Sequence, residues 1–257
     1  DPEISDVQFD ALTRRLRSLS PTAPVLQELT GDSTSTGLKV KHAQPMLSLD
    51  KCYTEDEFRN WLFPRRGKDR SRAFTGDFIE TPKVDGVAAS FHYDSNGRLT
   101  MASTRGDGVT GESFLPNAQY IDEVPKQLAG PPLGIAVEVR GELYLKFSVF
   151  ERLSGDFSNP RNTTAGAIKQ KNAHKTAGYG LSFFTYDVLG LDFETELEKV
   201  EWVKAHGLIP VETRTLTTVE QVQESFESWE RRRGDLDFET DGVVYKVNDV
   251  GQQRGMG

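Results

Sequence analysis

Near the N-terminus, apolar side chains recur at helical spacing and a polar linker follows them. A capping-box pattern at Ser5 and Gln8 marks the start of the helix. The apolar positions of the repeat are Phe9, Leu12, Leu16 and Leu19. This spacing predicts a helix of about four turns. Pro21, Pro24 and the polar stretch 30–37 end it, so residues 1–37 are predicted to form a small helical segment ahead of a main domain at 38–257.

The middle of the chain carries the alternation of apolar and polar positions that is typical of β-strands. Residues 87–93 and 98–105 flank Asn96-Gly97, a pair that tolerates positive φ and predicts a two-residue hairpin turn. Two later stretches also alternate, and both are predicted to be half-buried strands. Their apolar positions are Ile135, Val137 and Val139 in the first and Val243, Tyr245 and Val247 in the second.

Three more segments have helical patterns. Thr54 and Glu57 form a capping box ahead of Phe58, Trp61 and Leu62. Residues 194–206, closed by Gly207, predict a second helix, and residues 219–233 predict a third. The face of the third carries Val222, Phe226 and Trp229. Helices and strands do not alternate regularly, so the pattern predicts an α+β fold.

Composition and charge narrow the class of protein. The chain has 257 residues, 36% of them hydrophobic, which suffices for one large domain with a small appendage. A net charge of −8 argues against a protein that coats nucleic acid, so any such contact must be local. Two basic runs are candidates, although solvated loops and helix ends are the more common reading. They are Arg65, Arg66, Lys68, Arg70 and Arg72, and Arg231, Arg232 and Arg233.

The sequence predicts a soluble protein of a reducing compartment. It has no apolar run of membrane-spanning length and no signal segment at its start. The single cysteine, Cys52, excludes a disulfide framework and an all-cysteine zinc cluster. These features predict a cytoplasmic location and no membrane partner.

The strongest chemical signal is Lys-Val-Asp-Gly at residues 83–86, directly after the strand-like stretch 77–81. A neutral lysine amine can attack phosphorus and hold the product as a phosphoramide, provided that nearby cations or a metal lower its pKa. The motif alone is weak, because an exposed lysine at a turn would give the same pattern. The residues around the motif therefore decide whether Lys83 is read as a nucleophile.

A competing signal is Gly-x-Gly-x-x-Gly at residues 106–111, the dinucleotide fingerprint of the Rossmann fold. It would make the protein an NAD-dependent oxidoreductase. Pro116 follows where the helix should continue, however, and no regular βαβ unit surrounds the motif. The context therefore disfavours this class.

Several unusual blocks accompany the lysine motif in order along the chain. They are PMLSLD at 45–50, TRGDG at 104–108, EVRGE at 138–142, NPRN at 159–162 and DGVVYK at 241–246. In this order the chain resembles the bacterial NAD-dependent DNA ligases over essentially its whole length. The resemblance implies a nucleotidyltransferase (ATP-grasp-like) domain of antiparallel sheets around a nucleotide cleft, at residues 38–257. Residues 1–37 would be part of the helical domain that holds the nicotinamide mononucleotide half of NAD.

The resemblance also implies catalytic roles. Lys83 would attack the α-phosphate of NAD to form lysyl-AMP, and Asp85 would orient the site. Lys246 would place a cation near the α-phosphate and lower the pKa of Lys83, although a strand-edge lysine that discourages aggregation is the alternative. Glu142 and Asp241, acids at the ends of different strands, imply a Mg²⁺ ion.

Binding residues follow from the same blocks. Positions that contact NAD or bound AMP are matched by Ser48, Leu49, Thr81, Lys83, Arg105, Glu142 and Lys246, and in the helical segment by Asp6 and Asp10. Arg161 and Lys169 match basic positions that contact the DNA backbone. The family usually has arginine at the second of these, so a bidentate phosphate contact is weakened there.

The chain departs from the family in three ways. Thr81 stands where the family has glutamate, with Glu80 displaced by one position, and Phe9 replaces a tyrosine. The helix that usually precedes this segment is absent. The chain ends before the last lysine motif, the oligonucleotide-binding barrel and the zinc module, so the adenylation domain is expected to be truncated at its C-terminal end. The remaining domains would lie in the same protein or in a partner subunit.

The sequence therefore predicts the adenylation region of an NAD-dependent DNA ligase, with NAD and nicked double-stranded DNA as partners, acting in replication and repair. Two alternatives stay open. One is an ATP-dependent ligase or capping-type nucleotidyltransferase, and the other is a non-enzymatic ligase-like subunit that binds DNA or another chain.

Overall fold

The computed structural model of the chain describes residues 12, 15–16, 18–20, 38–62, 76–153 and 157–256. Leu12, Leu16 and Leu19 are helical, as the apolar repeat predicts. The rest of the predicted N-terminal helix and the basic run at 65–72 lie outside the described residues. The predicted domain boundary at residue 38 therefore stays a prediction.

The described residues contain both strands and helices. They are β1 (Lys39–Lys41), β2 (Phe78–Val84), β3 (Val87–Tyr93), β4 (Leu99–Thr104), β5 (Thr110–Glu112), β6 (Val137–Tyr144), β7 (Ser182–Leu189), β8 (Arg214–Leu216) and β9 (Thr240–Val247). The helices are α1 (Glu55–Leu62), α2 (Leu115–Ala118), α3 (Phe147–Phe150), α4 (Pro160–Ala167), α5 (Glu196–Ala205), α6 (Val219–Glu227), α7 (Trp229–Arg232) and α8 (Val250–Met256). Two 3₁₀ turns lie at Ala173–Tyr179 and Arg233–Asp235.

The strands form three sheets, and every strand pair in them is antiparallel. The four-stranded sheet has the order β4-β3-β6-β7, the three-stranded sheet β8-β2-β9, and the two-stranded sheet β1-β5. The predicted α+β class with antiparallel sheets is therefore confirmed.

The larger core packs against the four-stranded sheet. Phe91 is fully buried at its centre, where its ring meets Phe114 at a centroid distance of 5.8 Å and Phe183 at 4.7 Å, both edge to face. Buried residues of β6, α4 and α5 complete it, among them Val139, Ala167 and Val203. Both faces of β6 are buried over most of its length, whereas the sequence predicts a strand with one buried face. Ile135 lies outside the strand and is exposed.

A smaller core lies on one face of the three-stranded sheet. Its buried members are Phe78, Leu216, Val222 and Val247. Phe58 and Trp61 of α1 pack against it, and the side chain of Thr54 accepts a hydrogen bond from the Glu57 backbone N–H (3.2 Å) at the start of that helix. The predicted helix at 54–62 is thus confirmed, and its apolar face covers the sheet.

An ion cluster is buried beside the smaller core. Glu80 of β2 is 2% exposed and accepts hydrogen bonds from Arg232 (2.7 Å), Arg214 (3.3 Å) and the Ser225 hydroxyl. Burial opposes its ionisation, but the hydrogen bonds from Arg232 and Ser225 hold the pKa of Glu80 below its ordinary value. The guanidinium of Arg232 is therefore bound to a buried carboxylate. The sequence predicts that Arg231, Arg232 and Arg233 form a solvated or DNA-contacting run, and for Arg232 this prediction is wrong.

Two local predictions also need correction. The turn between β3 and β4 is longer than two residues, because Gly97 alone has positive φ and the Asp94 carbonyl accepts its N–H, with a register shift between His92 and Tyr93. The helix at 219–233 breaks at Ser228 into α6 and α7. Phe226 is consequently 51% exposed.

Residues 106–109 of the fingerprint lie in the loop between β4 and β5, and its last two residues, Thr110 and Gly111, begin β5. Gly106 and Gly108 both have positive φ, and the N–H of Asp107 donates to the carbonyl of Thr110 at 3.3 Å. A Rossmann fingerprint would be followed by a helix, whereas here a strand follows it. The oxidoreductase alternative therefore has no structural basis.

Replacing Phe91 with alanine should lower the free energy of unfolding by roughly 3–5 kcal/mol, because a fully buried ring is removed from a packed core. Phe226→Ala is the matched control, since that ring is half exposed. Its effect should stay within about 0.5 kcal/mol. Urea unfolding of both variants tests this, and equal losses would contradict the described core.

Candidate functional site

The chain crosses from the three-stranded to the four-stranded sheet at the lysine motif. β2 ends at Val84, β3 begins at Val87, and only Asp85 and Gly86 lie between them. A Cβ atom on Gly86 would lie 2.1 Å from the carbonyl oxygen of Leu143 in β6, so only glycine allows the turn to approach the neighbouring strand this closely. The motif therefore places Lys83 at the mouth of the cleft between the two sheets.

Lys83 is held at this mouth by β9. Its ammonium donates a hydrogen bond to the carboxylate of Asp241, and both side chains are more than a third exposed. Its cross-strand partner is Gly242, and the pairing register shifts directly after Lys83. Bulges of this kind occur next to active sites, where they redirect a side chain. The amine is accessible and has an acid within contact.

Acids and guanidinium groups surround the crossing. Arg161 of α4 donates to the Asp85 carboxylate at 2.8 Å. Burial raises the pKa of Asp85 despite this contact, and the charge of Asp241 adds to the rise. Burial also raises the pKa of Glu142 to about 8, with Arg161 opposing the rise and Asp85 increasing it. The raised pKa therefore favours the protonated form of Glu142.

Arg105 completes this group. Its charge acts on Glu142 together with that of Lys83. The backbone N–H of Arg105 donates to the Ala88 carbonyl at 2.9 Å, which fixes the start of the loop beside the crossing. Six residues predicted for the site are thus brought together from five separate stretches of sequence. They are Lys83, Asp85, Arg105, Glu142, Arg161 and Asp241.

Thr81 and Lys246 lie deeper in the cleft. They line a narrow cavity together with Tyr186 of β7, and Lys246 is paired across the sheet with Ile79. Lys246 shares a sheet face with Lys83, but it is four residues beyond Gly242, a strand distance of roughly 13 Å. Its ammonium donates to Glu196 at 3.2 Å and makes no described contact with Lys83. Glu80 faces the other side of β2, so it does not replace the missing glutamate at position 81.

The segment that carries Ser48 and Leu49 is tied to the site by its preceding residues. Arg140 of β6 donates to the carbonyl of Pro45 at 3.2 Å and also to that of Gln44. The N–H of Met46 donates to the carbonyl of Gly108 at 2.8 Å. Beyond this anchor Ser48 and Leu49 are exposed.

The remaining predicted residues are not gathered into this group. Lys169 follows α4, is 59% exposed, and its ammonium lies 3.4 Å from the Glu112 carboxylate. Asp6 and Asp10 lie outside the described residues. Their proposed roles stay predictions.

Sequence reasoning missed the buried charged residues that support the site. Glu138 and Arg140 form an ion pair at 2.7 Å, and both side chains are 8% exposed. They belong to the block at 138–142, in which the sequence predicts only Glu142 as a site residue. Glu196 and Lys199 had the pattern of an ordinary helix start. Nothing in their spacing separates an inward-facing pair from the usual charged surface of a helix.

The described residues contain no cluster of three or more His, Cys, Asp or Glu side chains arranged to hold a metal ion. The implied Mg²⁺ therefore fits only with substrate oxygens, because Mg²⁺ is commonly bound by one or two carboxylates together with phosphates and water. Within the described part of the chain, no helix has the length and apolar character needed to span a bilayer.

A lysine amine flanked by acids and guanidinium groups in a cleft between two sheets suits a nucleotidyl-transfer protein. Residues 35–257 match the family of NAD-dependent DNA ligase adenylation domains. The chain is similar to the DNA ligase of Rhizobium etli, at 37% identity over 100% of this chain and 38% of that protein. It is also similar to the DNA ligase of Marinobacter nauticus, at 37% identity over 100% of this chain and 41% of that one. An archaeal ATP-dependent RNA ligase structure aligns with 68% of this chain and 40% of its own, at 16% identity and a TM-score of 0.42.

The chain belongs to the NAD-dependent DNA ligase adenylation domain family. It spans about two fifths of the length of these two curated relatives. The predicted family is confirmed.

The raised pKa of Glu142 predicts a pH-dependent stability. An acid with a higher pKa folded than unfolded binds more protons in the native state between the two values. Its contribution is fully present below about 4.5 and is lost as the pH rises toward 8. Glu142→Gln cannot titrate, so the wild type should lose stability relative to this variant across that window. Urea unfolding at several pH values measures the difference.

Glu230→Gln is the control, because that acid is 81% exposed. The difference between this variant and the wild type should not change with pH. A flat profile for Glu142→Gln as well would contradict the buried, protonated state of Glu142.

Proposed function

We propose that the chain adenylylates itself on Lys83 from NAD, as the first step of DNA nick sealing. The observation that carries the proposal is the position of the Lys83 amine at the mouth of the cleft, beside Asp85, Asp241 and Glu142 and within the field of Arg161. In-line attack on a phosphate needs a positioned nucleophile and charge stabilisation around the phosphate oxygens. This cluster supplies both kinds of group.

The reaction exchanges one bond on phosphorus for another. The neutral amine of Lys83 forms a bond to the α-phosphorus of NAD, and the bond from that phosphorus to the bridging oxygen breaks. Nicotinamide mononucleotide leaves with that oxygen, and AMP stays on the lysine as a phosphoramide. Lys83 must give up one proton to become the neutral amine and a second one as the N–P bond forms. The Asp241 carboxylate, which accepts the hydrogen bond from Lys83, would take these protons and pass them to water. Asp85, fixed by Arg161, orients the turn beside it.

The nucleotide would occupy the cleft beyond Lys83. Thr81 and Lys246 line its deeper wall, and Lys246 would provide a cation that faces the phosphates of the bound nucleotide. Arg105 and Glu142 would contact the sugar and phosphate side. Ser48 and Leu49 would cover the NAD from the anchored segment, while Asp6 and Asp10 would bind its nicotinamide half.

A divalent cation fits this scheme through Glu142 and Asp241. Bound Mg²⁺ would neutralise charge that develops on the phosphate oxygens. Asp241 accepts a hydrogen bond from Lys83, and burial favours the protonated form of Glu142. Their availability for the metal therefore depends on the phosphate entering the cleft.

The later steps involve the whole protein. AMP would pass from Lys83 to the 5′-phosphate of a nicked duplex, and the nick would then be sealed, as replication and repair require. Arg161 and Lys169 would contact the DNA backbone, and further DNA-binding domains would come from the same protein or from a partner subunit. We infer a cytoplasmic location, supported by the single cysteine in the sequence.

Incubation with NAD and Mg²⁺ should add the mass of one adenylyl group to the intact protein, mapped to Lys83. Lys83→Ala should abolish the adduct because the nucleophile is gone. Lys83→Arg is the sharper variant, since it keeps the positive charge but lacks a nucleophilic amine. Intact-mass and peptide-mass spectrometry give the readout.

ATP in place of NAD separates the two nucleotide classes and should give no adduct. An adduct that persists in Lys83→Arg, or one on another lysine, would overturn the assignment. A wild-type protein that binds NAD without gaining mass would instead favour a binding role.

Lys169→Gln should weaken binding to a nicked duplex and reduce its dependence on salt by about one phosphate contact. Lys171→Gln is the matched control, because Lys171 is also exposed and the change in charge is the same. Fluorescence anisotropy across a salt series measures both slopes. Identical slopes for the two variants would remove Lys169 from the DNA interface.

A further inference from the structure

Four charged side chains form a row from α5 to the cleft wall. The ammonium of Lys199 donates to Asp187 of β7 at 2.6 Å and to Glu196 at 3.1 Å. The ammonium of Lys246 donates to the other oxygen of Glu196 at 3.2 Å and to the backbone carbonyl of Tyr186 at 3.3 Å. Two carboxylates thus balance two ammonium groups, and Glu196 bridges the two lysines.

Glu196 is the buried member on which the row depends. Its side chain is 6% exposed, whereas that of Lys246 is 27% exposed and faces the cavity. Burial opposes its ionisation, but the charges of Lys246 and Lys199 hold the pKa of Glu196 below its ordinary value. Glu196 is therefore a carboxylate at neutral pH, and each lysine is tied to it.

The backbone around Glu196 is fixed to the strand that carries Lys246. Its own N–H donates to the carbonyl of Asn248 at 2.9 Å, just beyond the end of β9. The next N–H, of Leu197, donates to the side-chain oxygen of Asn248 at 3.2 Å. Thr195 and Glu198 form a complete capping box at this helix end. The backbone that carries the Glu196 side chain is therefore fixed to the end of β9.

Helix α8 reaches the same carboxylate. The side-chain amide of Gln253 donates to Glu196 at 3.0 Å and to the carbonyl of Val247 at 2.6 Å. The position of Glu196 is thereby set from three elements, α5, β9 and α8. None of these contacts involves Lys83 or the residues around it.

Lys246 needs such an anchor because of its chemistry. A lysine carries its charge on a flexible four-carbon stem, so an unpaired ammonium samples many positions. Electrostatic stabilisation is effective when the charge is already in place before the reaction. Glu196 supplies the fixed point within reach of the cleft face shared by Thr81 and Lys83.

We propose that Glu196 is a positioning residue for adenylylation, which fixes the ammonium of Lys246 in the cleft where the nucleotide enters. The inference rests on the role proposed above for Lys246. Glu196 itself would not contact the reacting atoms.

Chemical labelling tests the fixation without any catalysis. In the full chain, Lys246 should react with an amine-acylating reagent severalfold faster in Glu196→Gln than in the wild type, as measured by peptide mass spectrometry. Lys199→Met is the matched control, because it removes the other cation from Glu196 but leaves Lys246 paired. Equal labelling of Lys246 in wild type and Glu196→Gln would overturn the proposal.

Kinetics test the consequence. In the wild-type background, Glu196→Gln should lower the rate of adduct formation at saturating NAD by about tenfold. In the Lys246→Met background the same substitution should lower that rate by less than about twofold, because the two residues act as one unit. Urea unfolding of each variant confirms that the chain is folded under the assay conditions. The same loss in both backgrounds would show that Glu196 does not act through Lys246.

The two proposals fail in different ways. If the wild type forms no adduct, self-adenylylation is wrong, and the labelling comparison alone then decides whether Glu196 fixes Lys246. If the wild type forms the adduct but Lys246 labels equally in both proteins, only the positioning role is overturned.

Discussion

The close crossing between the two larger sheets is the constraint on which the site depends. Val84 ends a strand of one sheet and Val87 begins a strand of the other, so two residues must turn the chain against the backbone of β6. Gly86 permits this because a Cβ atom would collide with the Leu143 carbonyl at 2.1 Å. The same turn brings Lys83 of one sheet beside Glu142 of the other. A longer connection between β2 and β3 would separate the amine of Lys83 from Glu142.

Ion pairs hold three of the cationic side chains around the cleft. Lys83 is paired with Asp241, Arg161 with Asp85, and Lys246 with Glu196. Glu196 is the most buried of these acids, and its charge would be costly to leave unpaired. A nucleotide phosphate entering the cleft must therefore compete with these acids for their cations. Under the function proposed above, this exchange would allow a chain of net charge −8 to bind an anionic substrate.

Opposite faces of β2 serve separate purposes. Glu80 points into the smaller core, where Arg232, Arg214 and Ser225 bind it, while Thr81 and Lys83 point into the cleft. A shift of one position along a strand reverses the direction of a side chain, so Glu80 cannot stand in for the glutamate expected at position 81. Its buried ion cluster instead holds β2 against α6 and α7.

The sequence alone determined the family, the α+β class, most of the strands and the order of the blocks around Lys83, because these follow from local periodicity and from motifs in register. It also indicated Thr54 as the residue that caps the start of α1. Only the tertiary structure decided which charges meet, because Glu196 with Lys246 and Arg232 with Glu80 are pairs separated by 50 and 152 residues. The break at Ser228 and the exposure of Phe226 likewise do not follow from the helical spacing of the sequence. Local propensity specifies an element, but contacts between distant elements decide which of its faces is buried.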